Sequence, residues 1–204
     1  CIGLPHNLPP RCPLCDKEQD PHGHHAVICK KNPGIYGRHN ALRDCVFTTA
    51  RTSGFAASTE KAVPSPDQTL RPADVFLDEE KLCIDISITH VGAESLVKKA
   101  AAAAGSAADA RAKAKNELYT PHTRAMGLNF TPFIFETFGY IHASADRVIK
   151  TIAEKLAASS SVDLALATAR IRQRFAACVA REIAGQIIAR STPAAEHVPT
   201  SQLV

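Results

Sequence analysis

The clearest pattern in the chain lies at Leu82–Thr89, LCIDISIT, where Leu82, Ile84, Ile86 and Ile88 alternate with Cys83, Asp85, Ser87 and Thr89. A period of two is that of a strand, and here it puts an apolar row on one face and an acidic group on the other. Ala73–Leu77 reads as a second strand, and the polar turn Asp78-Glu79-Glu80-Lys81 between them predicts a hairpin. Residues 55–63 and 130–136 predict two more strands, the first followed by a turn-rich stretch at 64–70. Helical spacing takes over elsewhere. Residues 38–54 put Leu42, Cys45, Val46 and Ala50 on one side, with Gly54 as the stop. The Ala/Lys-rich stretch 93–119 predicts a long helix with a kink at Gly105-Ser106 and an end at Thr120-Pro121. Residues 144–158 and 161–190 predict two final helices, while 1–11 reads as a linker and 191–204 as a disordered tail. The order α, β, β, β, α, β, α, α, without an internal repeat, is that of an α+β protein: a mixed sheet flanked by helices.

Composition narrows the picture only a little. With 45% of its 204 residues hydrophobic, the chain can bury a core without disulfides, and with only 5% aromatics that core is expected to be aliphatic and alanine-lined. No apolar run approaches the roughly 18 residues of a membrane-spanning helix, so no membrane partner is expected, and the start lacks a secretory signal pattern. A formal charge of +4 permits a nucleic-acid partner without requiring one. The first residue is Cys1 rather than a methionine, which predicts a piece of something longer. Seven cysteines, an odd number, argue against a complete disulfide framework and for a reducing compartment with a metal site.

That site is expected at Cys12-x2-Cys15-x8-His24-x4-Cys29, a small N-terminal module spanning 12–37. A Cys-x2-Cys turn faces two sulfurs to one ion, and the polar stretch that follows returns with the remaining pair. His22, His24 and His25 compete for the third place, and spacing favours His24. Four protein ligands close a zinc coordination sphere, so this zinc is structural.

A second centre is predicted on the hairpin. The ten residues between Asp74 and Asp85, turned by a four-residue connection, can bring both carboxylates to one sheet face. Carboxylates forced together repel, and a divalent cation relieves the repulsion. Aspartate is also a poor strand former, so an Asp inside LCIDISIT calls for a reason. On the long helix Arg111, Lys115 and Tyr119 share a face at i, i+4, i+8; an anchored Tyr119 would turn Lys115 inward and leave Lys113 outside. On the last helix Arg170, Arg174 and Arg181 fall near one face, opposite in part to Leu166, Ala169 and Ile183.

Taken in order, these signals resemble a known family. A CCHC knuckle, the helix start Arg38-His39-Asn40, the run Arg71-Pro72-Ala73-Asp74, a second Asp in an apolar strand and the helical Lys115-x3-Tyr119 are similar to the restriction-like endonuclease domain at the C-terminal end of site-specific non-LTR retrotransposon proteins. The resemblance covers about residues 12–140 and rests on order and spacing. It implies a PD-(D/E)XK nuclease core over 38–143, followed by C-terminal helices over 144–190. It also implies Mg or Mn held by Asp74 and Asp85, with Lys115 as a displaced catalytic lysine. The implied act is nicking of DNA in the nucleus to prime reverse transcription, next to an upstream reverse transcriptase and its RNA. Two departures stand out: Ala73 splits the Pro-Asp pair, and Ser87 occupies the general lysine position. Glu60 and Glu136 are further candidate acidic ligands. The rival expectations are a zinc-containing nucleic-acid-binding module that has lost cleavage and a zinc-stapled protein-interaction domain.

Overall fold

The computed structural model describes residues 8–61, 70–93 and 96–191. The tail at 192–204, most of the 64–70 turn and most of the 1–11 linker lie outside the described residues. The elements are α1 (His24–Ile28), α2 (Gly34–Thr52), β1 (Ala57–Lys61), β2 (Ala73–Leu77), β3 (Leu82–Thr89), α3 (Val97–Ala102), α4 (Ser106–Ala125), β4 (Asn129–Glu136), α5 (Ala143–Ser159) and α6 (Leu164–Ser191). The four strands form one mixed sheet in the order β1-β2-β3-β4, antiparallel through β3, with β4 parallel to β3. A parallel neighbour needs a crossover, and α3 and α4 supply it. No helix among the described residues is long and apolar enough to cross a membrane.

Both faces of the sheet are covered. The apolar row of β3 joins Val75, Leu77, Phe133 and Phe135 in the main core, under α2, α5 and α6. Phe133 lies against Phe135 and meets Phe175 edge-on, so the few aromatics sit at the centre of a mostly aliphatic core. On the other face Ala108 and Ala112 of α4 pack on Ile134, and Tyr119 packs against Phe130 with ring centroids 5.3 Å apart. Alanines let α4 approach closely, and this approach shuts the second row of β3 away from water: Asp85 is 3% and Ser87 7% exposed. The alternation in LCIDISIT therefore separates two buried faces rather than a buried one from a wet one.

Three boundaries differ from expectation for local reasons. The helix expected to begin at residue 38 starts at Gly34, directly after Pro33, and ends where Gly54 takes a left-handed φ of 96°. The stretch 93–119 is two helices rather than one kinked helix. Gly105 separates them at φ 83°, where an added Cβ would lie 2.3 Å from Tyr140. Finally, α4 runs through Pro121. Buried Thr123 bonds back to the carbonyl of Tyr119, and Gly127 in the left-handed region closes the end.

The cysteine-rich start is not a free appendage. Val27 belongs to the main core. Buried Arg38 of α2 donates to the Val27 carbonyl at 2.9 Å and to Gln186 of α6 at 3.2 Å, and Arg190 of α6 donates to the Ala26 carbonyl.

Candidate active site and metal centre

Cys12, Cys15, His25 and Cys29 converge, with all four candidate ligand atoms within 4.8 Å of one another. Cys12 Sγ is 3.9 Å from Cys29 Sγ, and Cys15 Sγ is 3.1 Å from His25 Nε2. Zinc–sulfur bonds of about 2.3 Å in a tetrahedron require ligand separations of about 3.8 Å, so three sulfurs and one imidazole at these distances fit zinc. Burial opposes ionisation of Cys12, yet hydrogen bonds from the backbone of Leu14 and Cys15 and from His25 outweigh it and bring the thiol down to about 6. At Cys29 burial prevails and the thiol is raised.

The histidine is His25, not the expected His24. The cause is Asp20, whose carboxylate accepts from the backbone N–H of His22 and His24 at 3.0 Å and of His25 at 2.7 Å. These bonds hold the Asp20 carboxyl below its ordinary range against the opposing effect of burial. They also start α1, and the helix then aims two adjacent histidines apart. His24 turns to buried His90, Nδ1 to Nε2 at 3.0 Å, across a gap that only Gly92 permits: a Cβ there would lie 2.5 Å from His24. Spacing in a sequence cannot separate neighbours whose directions depend on a helix only five residues long.

The second centre lies on the α4 face of the sheet. The β2–β3 ladder ends at Val75–Ile84; its register carried one step on aligns Asp74 with Asp85, and Asp74 is near enough to act on the Asp85 charge. Lys115 reaches down from α4 to Asp85, with Nζ 2.8 Å from Oδ1 and 2.7 Å from Oδ2. The Tyr119 ring lies 5.3 Å from the same ammonium. Lys113 points to solvent near Glu117, 3.9 Å away. Burial raises Asp85 to about 6; Lys115 opposes the rise without cancelling it, and Asp74 adds to it. Asp85 Oδ2 is buried, with the Lys115 ammonium as its near neighbour at 2.7 Å. Two acidic side chains on one sheet face are the kind of oxygen donors that a hard divalent cation takes.

Asp74 carries a second duty. Its Oδ2 accepts the Ile86 N–H at 2.6 Å, taking the place of a ladder carbonyl where the β2–β3 pairing stops. The same oxygen meets His39 Nε2 at 3.2 Å, and this contact raises His39 against the effect of its burial. His39 had no assigned role beyond its place in Arg38-His39-Asn40. Its approach to Asp74 depends on how α2 crosses the sheet, which no local pattern encodes.

Neither glutamate joins the pair. Glu60 bonds Arg43 at 2.6 Å and is largely exposed. Glu136 is buried at the far end of α4, where Oε1 accepts the Ala108 N–H at 3.0 Å and serves the helix N-terminus. Arg170, Arg174 and Arg181 are exposed, but Leu166 and Ala169 are exposed as well; the buried stripe of α6 is Ala167, Ile171, Phe175, Val179 and Ile183. No protein-family model matches the chain, and no curated protein matches it either.

Two predictions follow from this geometry. Protein purified without chelator should hold one equivalent of zinc. His25→Ala should lose that zinc and His24→Ala keep it; equal retention in both would contradict the assignment, as metal analysis can decide. The acid pair should also leave a signature in stability. Asp85 is raised from 3.8 to about 6 in the fold, so folding favours its protonated form, and its contribution falls as pH climbs between those values. His39, also raised, loses its contribution as pH passes through its folded value. Without added divalent cation, the thermal stability of the wild type relative to Asp85→Asn should therefore decline from pH 5 to pH 7. Mg or Mn should restore more at pH 7 than at pH 5, where protons compete for the carboxylates. A stability difference independent of pH and cation would contradict the arrangement.

Proposed function

We propose that this chain is a divalent-metal-dependent DNA endonuclease domain of the PD-(D/E)XK type that nicks its target, carried with a structural zinc knuckle. The observation that carries this reading is the Lys115 ammonium set 2.7 Å from Asp85, beside Asp74, on one buried sheet face. Phosphodiester hydrolysis needs positive charge at an oxyanion that develops during attack, in a place where water does not screen it. Lys115 provides that charge from a side chain that is 14% exposed, fixed between Asp85 and the Tyr119 ring. A cation held by Asp74 and Asp85 would polarise the phosphate and make water a better nucleophile. Ser87 at the general lysine position is compatible with this chemistry, because the ammonium arrives from α4 instead. By its resemblance such a domain would serve a retrotransposon-type protein in the nucleus, cutting DNA so that a reverse transcriptase can extend the end.

A second reading draws on the same contact. Lys115 already meets both oxygens of Asp85, as a structural ion pair would in a DNA-binding module that has lost cleavage. A supercoiled-plasmid nicking assay in Mg or Mn separates the two. The nuclease should nick. Asp74→Asn, which keeps an acceptor for the Ile86 N–H, should abolish nicking while folding and DNA binding persist. Lys115→Ala should slow nicking by roughly two to three orders of magnitude, the scale of one lost transition-state contact. Lys113→Ala should have little effect. Nicking that survives Asp74→Asn would place the activity elsewhere, and a wild type that binds DNA without nicking any substrate would favour the second reading.

A further inference from the structure

The row that holds the acid pair continues for one more residue on each element, and the proposed cleavage gives that continuation no role. On β3, Ser87 lies on the same face as Asp85, two residues along. On α4, Arg111 lies one turn before Lys115. The two rows meet in register: Lys115 bonds Asp85, and Arg111 Nε donates to Ser87 Oγ at 3.3 Å.

The second pairing is unusual in its charge. Most other arginines that reach a side chain on this protein meet carboxylates, as Arg43 does at Asp44 and Glu60, and Arg172 at Asp146, while buried Arg38 meets the Gln186 amide. Among the described residues no carboxylate lies within 4.0 Å of Arg111. Its partner is a neutral hydroxyl on a residue only 7% exposed. A buried serine fixes the guanidinium through a neutral bond, leaving only a longer-range attraction to Asp85. The bond uses Nε alone, which leaves the four N–H groups of the two terminal nitrogens as a planar fork for an anion. Lys115 offers no such fork: it is a single ammonium, held against Asp85. Arg111 is an exposed cation on α4, four residues or about 6 Å along the helix from Lys115.

We propose that Arg111, steered by Ser87, is the phosphate-binding residue of this site and takes non-bridging oxygens of a nucleic-acid strand laid along α4. This rests on the nuclease reading for its substrate, but its test does not depend on cleavage. The full zinc-loaded chain would be titrated with a fluorescent DNA duplex across a salt series without added divalent cation, in parallel with plasmid nicking in Mg. Arg111→Gln should weaken binding about tenfold and reduce the salt slope by about one phosphate contact. Ser87→Ala should weaken binding two- to threefold in the wild type and not at all in the Arg111→Gln background, since the serine acts only through the arginine. Arg111→Lys should keep the slope and lose the dependence on Ser87. A reduced slope with no nicking by the wild type would support the phosphate contact while overturning the nuclease reading. Nicking by the wild type with an unchanged slope in a folded Arg111→Gln would overturn the inference alone. Inorganic phosphate is the control: thermal stabilisation by millimolar phosphate, lost in Arg111→Gln without any change in DNA binding, would assign the fork to free phosphate and overturn the nucleic-acid assignment.

Discussion

The contact between Lys115 and Asp85 ties the second face of the sheet together. It joins α4 to β3 in a layer that also holds small alanines, Ile134, Phe76, Cys83 and the Tyr119–Phe130 pair. Removing one partner of a buried ion pair typically costs about 3–5 kcal/mol, because the other charge is left in the dark. Asp85 nevertheless stays raised to about 6, because burial outweighs the ammonium. The pair sits where the hairpin ladder gives way to the Asp74 side chain.

The Cys/His cluster and this layer are connected through two consecutive residues of α2. Arg38 faces back to the Val27 carbonyl and Gln186, and His39 faces forward to Asp74. Successive residues on a helix point about 100° apart, so one turn of α2 can hold the end of α1 and the edge of the acid pair at once. The knuckle then acts as a brace. With α1 set by the ligands and Asp20, Arg38 has a fixed carbonyl to bond, and the position of α2 over the hairpin follows.

Much of this was legible in the sequence. Alternation located β3, turn chemistry joined it to β2, and the i, i+4 spacing of Lys115 and Tyr119 turned the right lysine inward, because these features are local. The coarse α+β class and the cysteine-rich centre were legible for the same reason. What could not be read depends on tertiary direction. His25 rather than His24 points at the sulfurs because Asp20 sets a five-residue helix. His39 meets Asp74 only through the crossing of α2 over the sheet. Glu136 carried the right charge for the acid pair and a strand-end position near it in sequence pattern, but the parallel register with Thr89 takes it to the helix N-terminus instead. Pro121 is a stop signal that a buried threonine and a glycine cap override.

The proposed nuclease reading requires that Asp74 and Asp85 together hold a divalent cation. The most direct measurement is Mn binding to the zinc-loaded chain, followed by electron paramagnetic resonance at pH 7, in the wild type and in Asp74→Asn. One bound Mn per chain in the wild type, lost in Asp74→Asn with zinc content unchanged, is the predicted result. No bound Mn in the wild type, or equal binding in both, would contradict it.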